Sequence, residues 1–310
     1  MRAVVTGAAG FIGYHVCQRL LRDGHEVVGV DNLETGQQRN VDDLTKLARF
    51  SFVQHNIIEP LDIDGAVDRV FNLACPASPV DFEPRAVFIL RTCSEGVRHM
   101  LDLAFHKGAR FMHASTSECY GDPHEHPQRE TYYGHVNPIG PRSPYDEGKR
   151  FAEAMVMAHH RTHGTAVGIV RIFNTYGPRM RGNDGRILPN FIRQALHGEP
   201  LTVYGDGSQT RSFCYVDDLV EGIVRRPECD FVEPINLGNP IEVTVREVAE
   251  EVIELTGSRS RIEVRPLPGD DPRKRRPDIT RAREKLGWEP TVPRRDGFLR
   301  TIEYFRSVEL

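Results

Sequence analysis

Little in this sequence marks a secreted, membrane-embedded or metal-bound protein. Its six cysteines (Cys17, Cys75, Cys93, Cys119, Cys214 and Cys229) include no Cys-x-x-Cys pair and no regular spacing. That argues against a zinc ribbon or a disulfide framework and for reduced thiols in a cytoplasmic protein. No apolar run is long enough to span a bilayer. Residues 1–13 carry one arginine followed by small and apolar residues, a stretch too short and too rich in glycine for a signal peptide. Internal repeats and low-complexity segments are absent. A net charge of −4 gives no general basis for gripping nucleic acid or an anionic membrane. His124-Glu125-His126 has the look of a metal pair, but Pro123 and Pro127 flank it and no third ligand is in sight, so it reads as a turn and no metal is expected. What is present is a chain of 310 residues, 39% hydrophobic and 27% charged, enough for one large α/β unit or for a domain with a smaller partner.

The chain opens with a short apolar strand, Arg2 to Thr6, then Gly7-Ala8-Ala9-Gly10-Phe11-Ile12-Gly13, then an apolar-periodic helix through Val16, Leu20 and Leu21 that stops near Gly24. A second strand from Glu26 to Val30 ends at Asp31. Strand, glycine loop, helix, strand and acid, in that order, suit a dinucleotide. Glycines let the backbone approach a pyrophosphate, and the helix N-terminus offers N–H groups and positive potential. Asp31 lies 24 residues after Gly7, placed to accept from the adenosine ribose hydroxyls. A carboxylate there would repel a 2′-phosphate, which favours NAD over NADP.

Ser143-Pro144-Tyr145-Asp146-Glu147-Gly148-Lys149 reads as a helix start. Ser143 is expected to cap it, Pro144 to take its first position, and Asp146 to answer the free N–H groups. Tyr145 and Lys149 then project from one face. A phenol with an ordinary pKa near ~10 is a poor base at neutral pH, and an ammonium one turn away lowers it. Taken alone, such a pair arises often by chance on an exposed amphipathic helix.

Further strands are expected at about 51–54, 69–73, 110–115 and 166–173, alternating with helices near 84–106 and 144–163. This alternation predicts a parallel, doubly wound sheet, with ligands gathered at the carboxyl ends of its strands. Leu73, Ser115 to Glu118 and Asn174 to Tyr176 sit at such ends. Pro234 to Gly238 reads as a strand returning to the main sheet. The expected division is therefore interleaved: 1–173 plus about 213–240 for the Rossmann domain, and about 174–212 plus 241–310 for a smaller substrate domain with helical parts near 244–256 and 279–310. The two long helices carry more apolar residues (Val87, Leu90, Val97, Leu101 and Met155) than one sheet face requires, which suggests a homodimer through them.

With these pieces in place, the chain resembles the extended short-chain dehydrogenase/reductases that act on nucleotide sugars, and within them the UDP-glucuronic acid decarboxylases. The broader group shares the glycine loop, Thr116, Tyr145-x-x-x-Lys149 and the Asn174-Thr175-Tyr176-Gly177-Pro178 turn. The resemblance extends over Ala74-Cys75-Pro76-Ala77-Ser78-Pro79, Ser115 to Pro123, Gly134 to Gly140, Tyr145 to Arg150, Asn183 to Arg186, Val203 to Arg211 and Pro277 to Thr280, several of which are narrow to the decarboxylases. The resemblance implies NAD as a recycled hydride store and UDP-glucuronic acid as substrate. Gly7, Gly10, Phe11, Ile12, Gly13, Asp31, Asn32, Asn56, Ile57 and Leu73 would hold the cofactor together with Tyr145 and Lys149. Tyr145 would be the acid/base at the carbon-4 hydroxyl, Lys149 and Thr116 its supports, and Ser117 and Glu118 would lie near carbon 5. Arg275 would engage the sugar carboxylate, Asn174 and Thr175 the sugar, Arg186 and Arg211 the diphosphate or nucleotide, and Tyr204 and Gln209 the uridine. Arg275 belongs to the run Arg273-Lys274-Arg275-Arg276 between Pro272 and Pro277, read as a loop folded over a diphosphate rather than a solvated basic face.

Five positions depart from the family pattern. Asn56 stands for an Asp facing the adenine, Cys93 for an Asn, Tyr133 for a Trp, and Pro141 and Pro144 for a Glu and a Cys. A chain that let NADH escape would release UDP-4-keto-pentose in place of UDP-xylose. A UDP-glucuronate 4-epimerase is disfavoured by the Glu118 and Arg275 pair, and a 4,6-dehydratase by Ser117-Glu118 where Asp-Glu would be wanted. A non-catalytic NAD-binding regulator is disfavoured by the intact Thr116, Tyr145 and Lys149.

Overall fold

A computed structural model describes residues 1–266 and 274–308. Pro272 and Arg273 of the basic run, and the last two residues of the expected C-terminal helix, lie outside them. The first half alternates β1 (Arg2–Thr6), α1 (Phe11–Arg22), β2 (Glu26–Asp31), α2 (Gln38–Leu44), β3 (Phe50–Gln54), β4 (Arg69–Asn72), α3 (Pro79–Phe82), α4 (Ala86–Arg91), α5 (Val97–Lys107), β5 (Arg110–Thr116), α6 (Ser143–His163) and β6 (Val167–Ile172). The second half comprises β7 (Thr175–Tyr176), α7 (Ile187–His197), β8 (Leu201–Tyr204), β9 (Thr210–Ser212), β10 (Cys214–Tyr215), α8 (Val216–Arg225), β11 (Ile235–Leu237), β12 (Glu242–Thr244), α9 (Val245–Thr256), β13 (Ile262–Arg265), β14 (Lys274–Arg275), α10 (Thr280–Leu286) and α11 (Arg294–Ser307).

Seven parallel strands form the main sheet in the order β11-β6-β5-β4-β1-β2-β3. Strand order reverses between β1 and β4, where a doubly wound sheet leaves a crevice at its carboxyl edge. The fold is the expected α/β architecture with a smaller, interleaved C-terminal part. Both faces are covered, so the strands read as near-continuous apolar runs: in β1 every residue after Arg2 is buried. One face packs against α1 and α8 and continues into the C-terminal part through Tyr176, Phe213 and Phe298, while the other packs against the α4–α6 layer. Helix α1 buries Gly13, Val16, Cys17, Leu20 and Leu21, the spacing of one helical stripe. Each leucine so buried stabilises the layer by roughly 1.5–3 kcal/mol.

The helix expected near 84–106 runs as α4, a π turn at Thr92–Gly96, and α5. Of the residues that suggested a dimer face, Val97 and Leu101 instead sit in the chain's own core, because their side of the helix faces the sheet. Val87 and Leu90 stay exposed, joined by Phe151 on α6.

The basic run is also not one surface. Lys274 and Arg275 pair in parallel with Thr210 and Arg211 of β9, and alternation along a strand sends neighbours to opposite faces. Arg275 is buried, whereas Arg276 reaches toward Glu242, 3.8 Å away.

Candidate active site

At the carboxyl edge of the sheet the connecting segments enclose a cavity of about 680 Å³. Every site residue expected from the sequence lines it. One end is the glycine loop. Gly7 has a φ of +73°, its N–H bonds Val30 O at 2.8 Å, and a Cβ on Gly13 would stand 2.0 Å from Gly7 O. Helix α1 thus starts flush against the turn, and Gly10 at its N-cap position supplies no side-chain cap, leaving N–H groups for an anionic ligand. Gly13→Ala pushes a methyl into backbone that cannot rotate away. We expect it to cost at least ~1–3 kcal/mol of folding stability and to abolish dinucleotide affinity, read by denaturant titration and by calorimetry.

Asp31 ends β2 with one carboxylate oxygen accepting Ala9 N–H at 3.0 Å and the other Leu33 N–H at 2.8 Å. Burial pushes its pKa up, opposed by those N–H groups. It both pins the glycine loop and faces the cavity, as an adenosine ribose acceptor must. Asn56 keeps an acceptor, but its Oδ1 takes the Ile58 N–H at 3.2 Å. At the end of β4, Thr6 Oγ1 accepts Leu73 N–H at 3.1 Å and donates to Asn72 at 2.8 Å, which fixes the cavity floor. The cradle a Cβ would fill, the helix N-terminus and the acid together fit a dinucleotide.

Tyr145 and Lys149 are both buried, so they are not the exposed pair that chance alone would give. Lys149 Nζ donates to Ala114 O at 2.8 Å and lies 5.9 Å from the Tyr145 ring centre. Burial raises the Tyr145 pKa, and this outweighs the lowering by the Lys149 ammonium and by the Thr116 hydroxyl. The net direction is opposite to the sequence expectation, because one-turn spacing reveals the ammonium but not the desolvation. Phe82 stacks on the phenol ring, centroids 4.7 Å apart and planes 14° from parallel. Helix α6 itself begins at Ser143, with Arg142 in the cap position and no side-chain cap, so Ser143 is not the cap and Asp146 lies one position deeper than expected.

That shift has an electrostatic consequence. Glu118 Oε2 accepts from Arg142 Nη2 at 2.7 Å and from Arg275 Nη2 at 3.2 Å, and Arg275 Nη1 donates to Ser117 O at 2.5 Å. Burial alone would push the Glu118 carboxyl up, but Arg275 and then Arg142 outweigh it and hold it down at about 2. Asp146 behind this cluster is pushed up to about 7 by burial and by Glu118, and its Oδ1 has no partner. For a carboxyl whose folded pKa is raised, the unfolded chain releases its proton first, so stability falls as pH rises from about 4 to about 7. Asp146→Asn is therefore expected to leave stability unchanged at about pH 3 and to raise it at about pH 8, by on the order of 1–4 kcal/mol, in paired denaturant titrations.

The far end of the cavity comes from the second half of the chain. Asn174 and Thr175 follow β6, and Thr175 Oγ1 donates to Phe173 O at 2.9 Å. Arg186 donates to Ala77 O at 2.7 Å, Gln209 to Tyr204 O at 2.7 Å, and Arg211 to Thr210 O at 2.9 Å. Arg211 stands beside Arg275 in register on the neighbouring strand, so two guanidiniums face one pocket.

Sequence reasoning missed Arg142 and Phe82, and gave Asp146 only a place at the helix start. Arg142 had left a signal, since a cation just ahead of a helix N-terminus opposes the helix dipole and calls for a carboxylate partner. Of the departures, Tyr133 and Pro141 are exposed and do not line the cavity, while Cys93 is buried with its Sγ 3.7 Å from that of Cys75. No group of three or more metal-ligating side chains occurs among the described residues, and no described helix is long and apolar enough to cross a membrane.

The chain as a whole is similar to known proteins. The NAD dependent epimerase/dehydratase family matches residues 3–236. UDP-glucuronic acid decarboxylase 1 of Arabidopsis thaliana is 51% identical over 99% of this chain and 70% of its own length, and UDP-glucuronic acid decarboxylase 1 of Danio rerio is 51% identical over 98% and 72%. Among solved structures, the UDP-glucuronic acid 4-epimerase of Bacillus cereus in complex with UDP-glucuronic acid and NAD superposes with a TM-score of 0.87 over 99% of both chains at 29% identity. By these likenesses the chain belongs to the UDP-glucuronic acid decarboxylases of the NAD dependent epimerase/dehydratase family.

Proposed function

We propose that this chain converts UDP-glucuronic acid to UDP-xylose through a UDP-4-keto-glucuronic acid intermediate. The observation that carries the reading is a single cavity with Tyr145, Lys149 and Thr116 on one wall and the buried Glu118–Arg275 pair beside them. A sugar carboxylate cannot leave as CO2 until the electrons left behind have somewhere to go. Oxidation at carbon 4 makes a β-keto acid whose ketone takes them as an enolate. When bound, NAD supplies reversible hydride acceptance.

Gly7, Gly10, Phe11, Ile12 and Gly13 hold the pyrophosphate, Asp31 and Asn32 the ribose, Asn56 and Ile57 the adenine side, and Leu73 the floor. Tyr145 takes the carbon-4 hydroxyl proton and later returns one to the ketone oxygen. Its raised pKa makes the neutral phenol the resting form, so Lys149 and Thr116 serve to stabilise the phenolate as it forms. Asn174 and Thr175 position the sugar, Arg186 and Arg211 the diphosphate, and Tyr204 and Gln209 the uridine. Arg275 holds the sugar carboxylate, which requires it to exchange its Glu118 partner for substrate, and Ser117 and Glu118 then lie near the carbon that is reprotonated. The epimerase reading is not favoured, since the likeness to the epimerase structure stands at 29% identity against 51% for the decarboxylases.

Residues 1–173 and about 213–240 form the cofactor-binding unit, and the remainder binds the UDP-sugar. Exposed Val87, Leu90 and Phe151 fit a homodimer face, and the free thiols fit a cytoplasmic location. Incubation with UDP-glucuronic acid and NAD tests the reading: UDP-xylose is the expected product, and UDP-galacturonic acid of unchanged mass would replace it with epimerisation.

A further inference from the structure

We propose that Cys75 and Cys93 form a redox-active dithiol in the cavity wall, which a hydroperoxide converts to a disulfide and thereby slows turnover reversibly. Their sulfurs are 3.7 Å apart, and a disulfide needs about 2.05 Å. A change of side-chain torsion with a small shift of the loop after β4 covers that difference. Cys75 is half-buried and lines the cavity, so a small oxidant reaches it from the cavity mouth. Cys93 lies behind it, in the π turn at Thr92–Gly96, and is 1% exposed.

The two thiols are unlike. The bond to Cys93 draws the Cys75 thiol down to about 7 against the opposing effect of burial, with the Lys149 ammonium helping. The bond to Cys75 and burial push Cys93 well up. Cys75 is therefore the nucleophile and Cys93 the resolving thiol. The Cys75 thiolate attacks the peroxide oxygen and the O–O bond breaks. With one proton taken up, this leaves a sulfenic acid on Cys75 and releases water or an alcohol. Cys93 sulfur then attacks the Cys75 sulfur, the S–O bond breaks, and the hydroxyl leaves as water with the Cys93 proton. Two thiols have lost two electrons to the peroxide. By contrast, burial raises Cys17, Cys119 and Cys214.

Coupling to the site runs through α6. A Cβ on Gly148 would lie 3.3 Å from Cys93 Cβ and Sγ, so the π turn lies close over the residue before Lys149, where glycine leaves room. Drawing Cys93 toward Cys75 shifts that contact, and the disulfide also removes a thiolate from beside the Lys149 ammonium. The bond itself stands on geometry alone, while its effect on turnover rests on the reaction proposed above.

The test treats the reduced full-length chain with hydrogen peroxide, blocks remaining thiols with N-ethylmaleimide, and maps tryptic peptides. The expected result is a cross-link between peptides 70–85 and 92–98, absent from Cys75→Ser and Cys93→Ser and cleaved by dithiothreitol. Turnover of UDP-glucuronic acid should fall about tenfold or more with cross-linking and return on reduction. Alkylation of both cysteines after peroxide, or Cys75 oxidised to sulfinic acid with Cys93 still alkylated, overturns the proposal. A cross-link with unchanged turnover overturns its regulatory half. If the reduced chain shows no turnover, the reaction assignment has failed, and the cross-link still decides the dithiol.

Discussion

Tyr145→Phe is expected to bind dinucleotide and UDP-sugar with unchanged affinity and to lose about 10²–10⁴-fold in kcat. The ring packs between Phe82 and the α6 layer, so removing the hydroxyl leaves the stacking at 4.7 Å intact. What disappears is the phenol oxygen placed at Thr116 and near Lys149. Calorimetric titration beside single-turnover kinetics separates the two effects. A variant with more than a third of wild-type kcat would remove Tyr145 from the proton transfer.

Replacing Glu118 should produce the other large effect, and on stability as well as rate. Glu118→Ala leaves Arg275, which is 2% exposed, with a carbonyl and no carboxylate. An uncompensated buried charge costs about 3 kcal/mol or more, so the unfolding midpoint in urea should drop clearly, and Glu118→Gln should recover the packing but not the charge pairing. Because the Glu118 carboxyl is held down at about 2, its stabilisation is complete above the ordinary carboxyl range. It fades as pH falls from about 4 to about 2, so wild type and Glu118→Gln should converge in that window. Equal stability at pH 7 would show that the two guanidiniums do not depend on this carboxylate.

The outline of the fold was legible because its signals are local. Alternating apolar strands, a glycine loop and Asp31 at the end of β2 each follow from a few consecutive residues. Tyr145 and Lys149 were legible for the same reason, being one turn apart. The Glu118–Arg142–Arg275 cluster was only half visible, since it joins a strand end, a helix entry and β14, and no spacing rule links them. The direction of the Tyr145 shift was missed because it depends on Phe82 and the walls of the cavity, which are tertiary. Val97 and Leu101 misled for a related reason: an apolar helix face shows that something covers it, not whether the cover is the chain's own sheet.

The most direct test of the redox cycle is turnover of UDP-glucuronic acid carrying deuterium at carbon 4, with unlabelled NAD. If the hydride removed at the start is the one restored at the end, the product is UDP-xylose lighter than the labelled substrate by CO2 alone, about 44 mass units, with deuterium still at carbon 4. Loss of the label, or a product that remains a 4-ketone, would contradict the account.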